Sequence, residues 1–469
     1  MKRPAFVSVL LILTNTLLLG QSNPIPLLSQ PLVPASAAPG GKGFTLNING
    51  TGFTSNAEVY WNGSLRPSTV VSSSQVQAQI SAADIAKPGF GWVAVGNLGI
   101  GEVQSNVVYF PIRTAAKGVG FLPRSIQNIT NNPGPIAVGD FNNDGLLDFA
   151  VASGKTIQVF LGKGNGTFQP PVVTTLKITT VLTMTASDFN GDGKLDLAVM
   201  SKEVNHLSPI VNAFLGKGDG TFTKKTGVFL DKGIPVLSAA DFEGAGTLDL
   251  YFVSFDSEGD CLGRFCFGIL QGKGDGTFEG SVGHGTYPLH KPKGPPAIGD
   301  FDGDGKLDIA VAGTNSSGKG LIDVYLSNGG YHLVSYFVPF AGDSVATADV
   351  NGDGKLDLVT EGVSVLLGNG DGTFRKSASI PSGAGGSINV GDFNGDGKLD
   401  IAAGLSILLG NGDGTFHKPL TFAGMESGFP ISVGGFVTNG QLSLLGIDAI
   451  KRRLVHIHPA SSLFHADQS

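Results

Sequence analysis

Asp392-Phe393-Asn394-Gly395-Asp396-Gly397-Lys398-Leu399-Asp400 is one of six related nonapeptides in this chain. The copies begin at Asp140, Asp188, Asp241, Asp300, Asp349 and Asp392, so they follow one another after 48, 53, 59, 49 and 43 residues. An eroded seventh copy, Gly435-Phe436-Val437-Thr438-Asn439-Gly440-Gln441-Leu442-Ser443, lies another 43 residues on. Each Asp copy is followed by a second shared segment ending in Gly-Thr-Phe, at 159–168, 213–222, 269–278, 365–374 and 407–416. In the fourth copy this segment is shortened to residues 324–331. One repeat therefore offers four short strands: into the Asp loop, out of it, up to the Leu-Gly, and away from the Gly-Thr-Phe. Four strands per 40–60 residues, seven times over, predict an all-β chain with a seven-bladed β-propeller. The recurring Phe residues are expected to wedge between neighbouring blades.

Composition agrees with many short strands and tight turns. Of 469 residues, 71 are Gly and 25 Pro, with 41% hydrophobic and 15% charged side chains. No Gly-X-Y period accompanies the glycine, which excludes collagen. A formal charge of −7 gives no footprint for nucleic acid. Two cysteines exclude a disulfide scaffold or a zinc-ribbon domain. Lys2 and Arg3 precede an apolar stretch from Phe6 to Leu19, which reads as a signal peptide over 1–22 with cleavage near 20–23. A secreted, cell-surface or periplasmic chain follows, with no membrane span after cleavage.

The Asp loops carry the chemistry. Oxygen side chains stand at positions 1, 3, 5 and 9, position 6 is Gly, and position 7 offers its backbone carbonyl. That is the ligand order of an EF-hand loop without its last Glu, and it suits the six or seven oxygens calcium prefers. The expected ligands are Asp140, Asn142, Asp144, Leu146 and Asp148 in the first loop, and Asp188, Asn190, Asp192, Lys194 and Asp196 in the second. Asp300, Asp302, Asp304, Lys306 and Asp308 follow in the fourth, and Asp349, Asn351, Asp353, Lys355 and Asp357 in the fifth. Asp392, Asn394, Asp396, Lys398 and Asp400 complete the sixth, giving about five structural Ca²⁺ sites. The third loop has Asp241, Glu243 and Asp249 but Ala245 at position 5, so weak or absent binding is expected there. The six loops hold 19 of the 38 acidic residues and four lysines, leaving a remainder of +8, and such crowding repels itself unless cations enter.

The pattern Val390-Gly391 running into this loop, followed by Leu409-Gly410-Asn411-Gly412-Asp413-Gly414-Thr415-Phe416, resembles the FG-GAP/VCBS repeat family. That family includes the integrin α-chain propeller, and the resemblance covers about 120–469. Residues 26–112 differ: Pro39-Gly40-Gly41, Asn49-Gly50-Thr51-Gly52-Phe53 and Val59-Tyr60-Trp61-Asn62-Gly63 punctuate alternating runs. In order and spacing these resemble the IPT/TIG family, which implies an immunoglobulin-like β-sandwich with Trp61 in its core. Residues 113–120 read as a linker, with the propeller over 121–469.

Three smaller expectations follow. Cys261 and Cys266, in the insertion 256–267, pair in a small disulfide. His456 and His458 are surface histidines on the last strand. The connections 202–209, 256–265 and 314–320, together with 280–295 and its His284, Tyr287, His290 and Lys291, lie opposite the Asp loops and offer a ligand face over blades two to four. The chain is thus expected to be a monomeric, non-catalytic binding or adhesion protein for an extracellular protein or glycan. The alternative is an extracellular polysaccharide lyase or hydrolase built on the propeller.

Overall fold

The computed structural model describes residues 23–460 apart from 99–102, 116–119, 129–132, 177, 204–207, 231–232, 257–263, 288–289, 293, 316, 318, 328–331, 339–343, 361–363, 380–387, 422–430, 438 and 449–452. Every element among these residues is a strand or a short irregular connection. Among the described residues from 120 onward, strand pairing gives seven antiparallel sheets of four or five strands. The first, for instance, joins Pro133–Gly139, Asp148–Ser153, Thr156–Phe160 and Val172–Thr175 in chain order.

The second strand of a sheet reads as a near-continuous apolar run because both of its faces are covered. Successive side chains of one strand point to opposite faces, and here each face belongs to a different core. Leu197 and Val199 enter the cluster shared with sheet one. Ala198 and Met200 enter the cluster shared with sheet three. Tyr251, Phe267, Ile309 and Tyr325 join sheets three and four, and Ile322, Leu358 and Phe374 join four and five. Val359, Leu367, Ile401 and Leu408 join five and six. A last cluster, with Phe149, Ile407, Leu444 and Ile457, joins sheets six, seven and one. The sheets therefore close into a ring, which is a propeller.

Closure uses a strand the repeats do not predict. The seventh sheet runs Gly120–Asn128, Arg453–Ala460, Gln441–Asp448, Ile431–Val437, so the strand preceding the first repeat supplies the outer strand of the last. Its pairing with Arg453–Ala460 protects that edge.

The recurring Phe residues lie between sheets, as expected. Phe222 stands edge-on to Phe141 at 6.0 Å, Phe278 to Phe189 at 5.4 Å and Phe374 to Phe301 at 5.6 Å. The Gly-Thr-Phe turn also stitches backbone to backbone. The amides of Gly220, Gly276, Gly372 and Gly166 donate to the carbonyls of Phe141, Phe189, Phe301 and Phe436 of the preceding sheet, at 2.9–3.2 Å.

The N-terminal region folds as two facing sheets. One pairs Leu27–Leu28, Phe44–Thr51, Gln75–Ile80 and Ser68–Ser72; the other is built on Ala57–Trp61 and Gly89–Asn97. Trp61 is buried between them, 5.4 Å from Phe110. This sandwich sits on the Asp-loop face of the propeller. Phe90 and Tyr109 pack against the core of sheets six, seven and one, and a Cβ at Gly305 in loop four would stand 3.3 Å from Ser73 Oγ. Arg113, only 6% exposed, donates to the carbonyls of Phe393 at 3.2 Å and Asn394 at 2.8 Å.

Phe301→Ala empties a buried inter-sheet position and should cost about 3–5 kcal/mol. Urea unfolding followed by tryptophan-independent circular dichroism should show a clearly lower midpoint; an unchanged midpoint would count against the wedge.

Candidate metal centres in the Asp loops

Backbone amides shape each loop around its carboxylates. At position 1, Asp Oδ2 accepts the N–H of the position-6 Gly: Gly145, Gly193, Gly305, Gly354 and Gly397, at 2.7–2.9 Å. The position-3 oxygen accepts the position-5 N–H at 2.9–3.1 Å. The position-5 carboxylate accepts the N–H of position 7 at 2.8–3.0 Å. These contacts turn the side chains of positions 1, 3 and 5 inward. In the first loop the turn needs positive φ at both Asn143 (57°) and Gly145 (81°), a region Asn and Gly tolerate best.

Position 9 has a role that ligand counting misses. Its Oδ2 accepts the N–H of position 2, and its Oδ1 accepts the N–H that ends the third strand. For Asp148 these donors are Phe141 at 2.9 Å and Gly162 at 2.7 Å. Asp196, Asp249, Asp308, Asp357 and Asp400 repeat the pair with their own sheets. Each of these carboxylates is buried. It locks the loop to the third strand, and each oxygen still has a lone pair to offer a cation.

The electrostatics follow from that burial. Desolvation, with neighbouring loop carboxylates adding to it, pushes Asp148, Asp196, Asp249, Asp308 and Asp357 up to about 7 and Asp400 up to about 8. Burial likewise raises Asp140, Asp241, Asp300, Asp349 and Asp392.

The donor sets fit a hard divalent cation. Carboxylate oxygens of Asp300, Asp302 and Asp304 lie within 4.8 Å of one another. Loops one, five and six present Asn at position 3, whose amide donates to the position-5 carboxylate at 2.9–3.0 Å. Loop two has the same oxygen set from Asp188, Asn190, Asp192 and Asp196. Loop three does not converge this way: Glu243 Oε2 instead accepts from Gln271 Nε2 at 2.7 Å.

Two expectations need correcting. His456 is not on the surface: it is 1% exposed, its Nε2 lies 2.8 Å from Ser443 Oγ, and Phe168 and Phe436 stand edge-on to its ring. Ser443 occupies the position-9 place, so the seventh copy replaces a buried carboxylate with a Ser–His pair; the side chain of His458 lies outside the described residues. Residues 280–295 are not an open connection either. Most of them form the strands Phe278–Tyr287 and His290–Pro292. Of the other connections expected on that face, 204–207, 257–263, 316 and 318 lie outside the described residues. Cys266 is disulfide-bonded, and Cys261, the one other cysteine of the sequence, also lies outside them.

Sequence comparison agrees with this architecture. Residues 140–199, 188–252, 300–360 and 349–403 match the FG-GAP-like repeat. Residues 29–109 match the IPT/TIG domain. The chain carries FG-GAP-like repeats in a β-propeller behind an N-terminal IPT/TIG domain. No curated protein matches it in sequence. Among solved structures it is similar to the Dos1 propeller, at 10% identity over 72% of this chain and 95% of that one, with a TM-score of 0.40. It is also similar to a DUF4784 family protein from Bacteroides caccae, at 10% identity over 94% and 96%, with a TM-score of 0.28. A third similarity is to a 1.5-MDa bacterial ice-binding adhesin, at 13% identity over 76% and 96%, with a TM-score of 0.16.

Two outcomes test the roles assigned to the carboxylates. In chelator, Asp357→Ala strands two buried amides and should cost about 2–5 kcal/mol, whereas Asp353→Ala, on the exposed loop tip, should cost less than about 1 kcal/mol. Equal losses in urea titrations would contradict the lock. The raised position-9 carboxyls also give a signed pH dependence. Their contribution is fully present below the ordinary value of 3.8 and is lost as pH rises through about 7. The metal-free melting temperature should therefore fall between pH 5 and pH 8; a rise across that window would contradict it.

Proposed function

We propose that this chain is an exported, calcium-stabilised β-propeller that acts as a non-catalytic binding or adhesion protein for an extracellular protein or glycan. One observation carries the calcium reading: five loops repeat the same oxygen set, and in the fourth the carboxylates of Asp300, Asp302 and Asp304 already lie within 4.8 Å of one another. Calcium would be held by the residues at positions 1, 3, 5 and 9 and the position-7 carbonyl, and it supplies the positive charge that buried carboxylates need. Its role is structural. Extracellular modules bind calcium at roughly 10⁻⁴ to 10⁻³ M, so the loops would be filled outside cells.

The binding reading rests on where the sandwich sits. It covers much of the Asp-loop face, leaving the opposite face, over sheets two to four, for a ligand. The regular carboxylates of the propeller are occupied in backbone locks rather than paired across a cleft. Among the described residues no helix is long and apolar enough to cross a membrane; export rests on the signal-like segment 1–22.

Chelation should lower the melting temperature, and calcium should restore it. A melt indifferent to chelator would count against the metal sites. A glycan and surface-protein array probed in calcium should identify a ligand whose retention weakens after chelation. Release of reducing ends from a polysaccharide would instead favour the lyase or hydrolase reading.

A further inference from the structure

The third Asp loop has lost its position-5 ligand to Ala245, yet it keeps the Asp at position 1. In the structure that Asp holds a peptide. Asp241 Oδ2 accepts the N–H of Gly246 at 2.9 Å, as in the intact loops, and also the N–H of Ile25 at 2.9 Å, from 216 residues away. Its Oδ1 accepts the N–H of Ala245 at 2.9 Å. Glu243 is engaged with Gln271. Asp241 Oδ2 therefore accepts two backbone amides, one of them from the N-terminal segment.

We propose that the third loop is the docking point of the chain's own N-terminal segment, a peptide clasp in place of a cation, which fixes the IPT/TIG sandwich to the propeller. The segment is held from both sides. On the sandwich side, buried Asn97 donates from Nδ2 to Pro24 O at 2.7 Å, and Leu28 N–H donates to Asn106 Oδ1 at 2.7 Å. On the propeller side, Asp241 takes Ile25, and Gln30 O accepts the N–H of Asp349 in loop five at 3.1 Å. Further along, Ser36 Oγ donates to Gly395 O in loop six at 3.5 Å. Residues 24–36 thus run from loop three past loop five to loop six, and Arg113 closes the far end on Phe393 and Asn394. At loop three, an intact donor set at position 5 would bring in a cation competing for the same Asp241 oxygen. Its replacement by Ala is what an anchor requires.

The inference goes beyond the proposed function and stands whether or not the other loops hold calcium. Its test removes either half of the clasp from the full-length exported chain. Asp241→Ala removes the acceptor. Ile25→Pro removes the donor without touching the propeller, because proline has no N–H. A hydrogen bond to a charged group is worth enough to shift the docked fraction about tenfold or more. Small-angle X-ray scattering should show a larger maximum dimension for each variant. The double variant should be no more open than either single one, because both remove one interaction. Calcium stoichiometry should be unchanged by Asp241→Ala. Scattering identical to the parent for either variant, additive opening in the double, or loss of one calcium equivalent in Asp241→Ala would overturn the proposal.

Discussion

A buried carboxylate at the ninth position of each Asp loop is the constraint on which the rest of the propeller depends. It accepts two backbone amides, one from the loop and one from the end of the third strand, as Asp148 does from Phe141 and Gly162. Those bonds set how the loop folds back over its own sheet. With the loop in place, the carbonyl at position 2 is presented to the next sheet, where the Gly-Thr-Phe turn donates to it. The neighbouring Phe then fills the gap. One carboxylate therefore links strand pairing within a sheet to packing between sheets.

The same constraint carries a cost. Burial raises these groups to about 7, or about 8 for Asp400, and each shares its loop with further carboxylates. A bound cation offsets that cost directly, since it favours the ionised form that the amides also favour. Where no carboxylate remains, the seventh sheet uses Ser443 and His456 instead and is closed by the strand Gly120–Asn128. The repeat without a buried position-9 carboxylate is also the one whose sheet is completed by a strand preceding the first repeat.

Much of this was legible in the sequence because repetition exposes it. The four-strand unit, the inter-sheet Phe wedges and the oxygen pattern of the loops all recur at fixed offsets. What repetition could not reveal were the features that occur once. Gly120–Asn128 belongs to no repeat, so its place in the seventh sheet depended on ring closure. His456 was expected on the surface of the last strand, but it is buried beside Ser443, which stands where the other copies carry a carboxylate. The double use of the position-9 oxygens was also hidden. Ligand spacing identifies an oxygen, but only the fold shows which amides reach it. The docking of the sandwich through Ile25 and Arg113 joins residues more than 200 positions apart, beyond any local pattern.

The central claim is that the six Asp loops are a set of calcium sites in which five are complete and the third is not. Native mass spectrometry of the folded, calcium-saturated chain reads this directly. The account predicts five bound calcium ions, all removed by chelator. A chain that stays metal-free at millimolar calcium would contradict it.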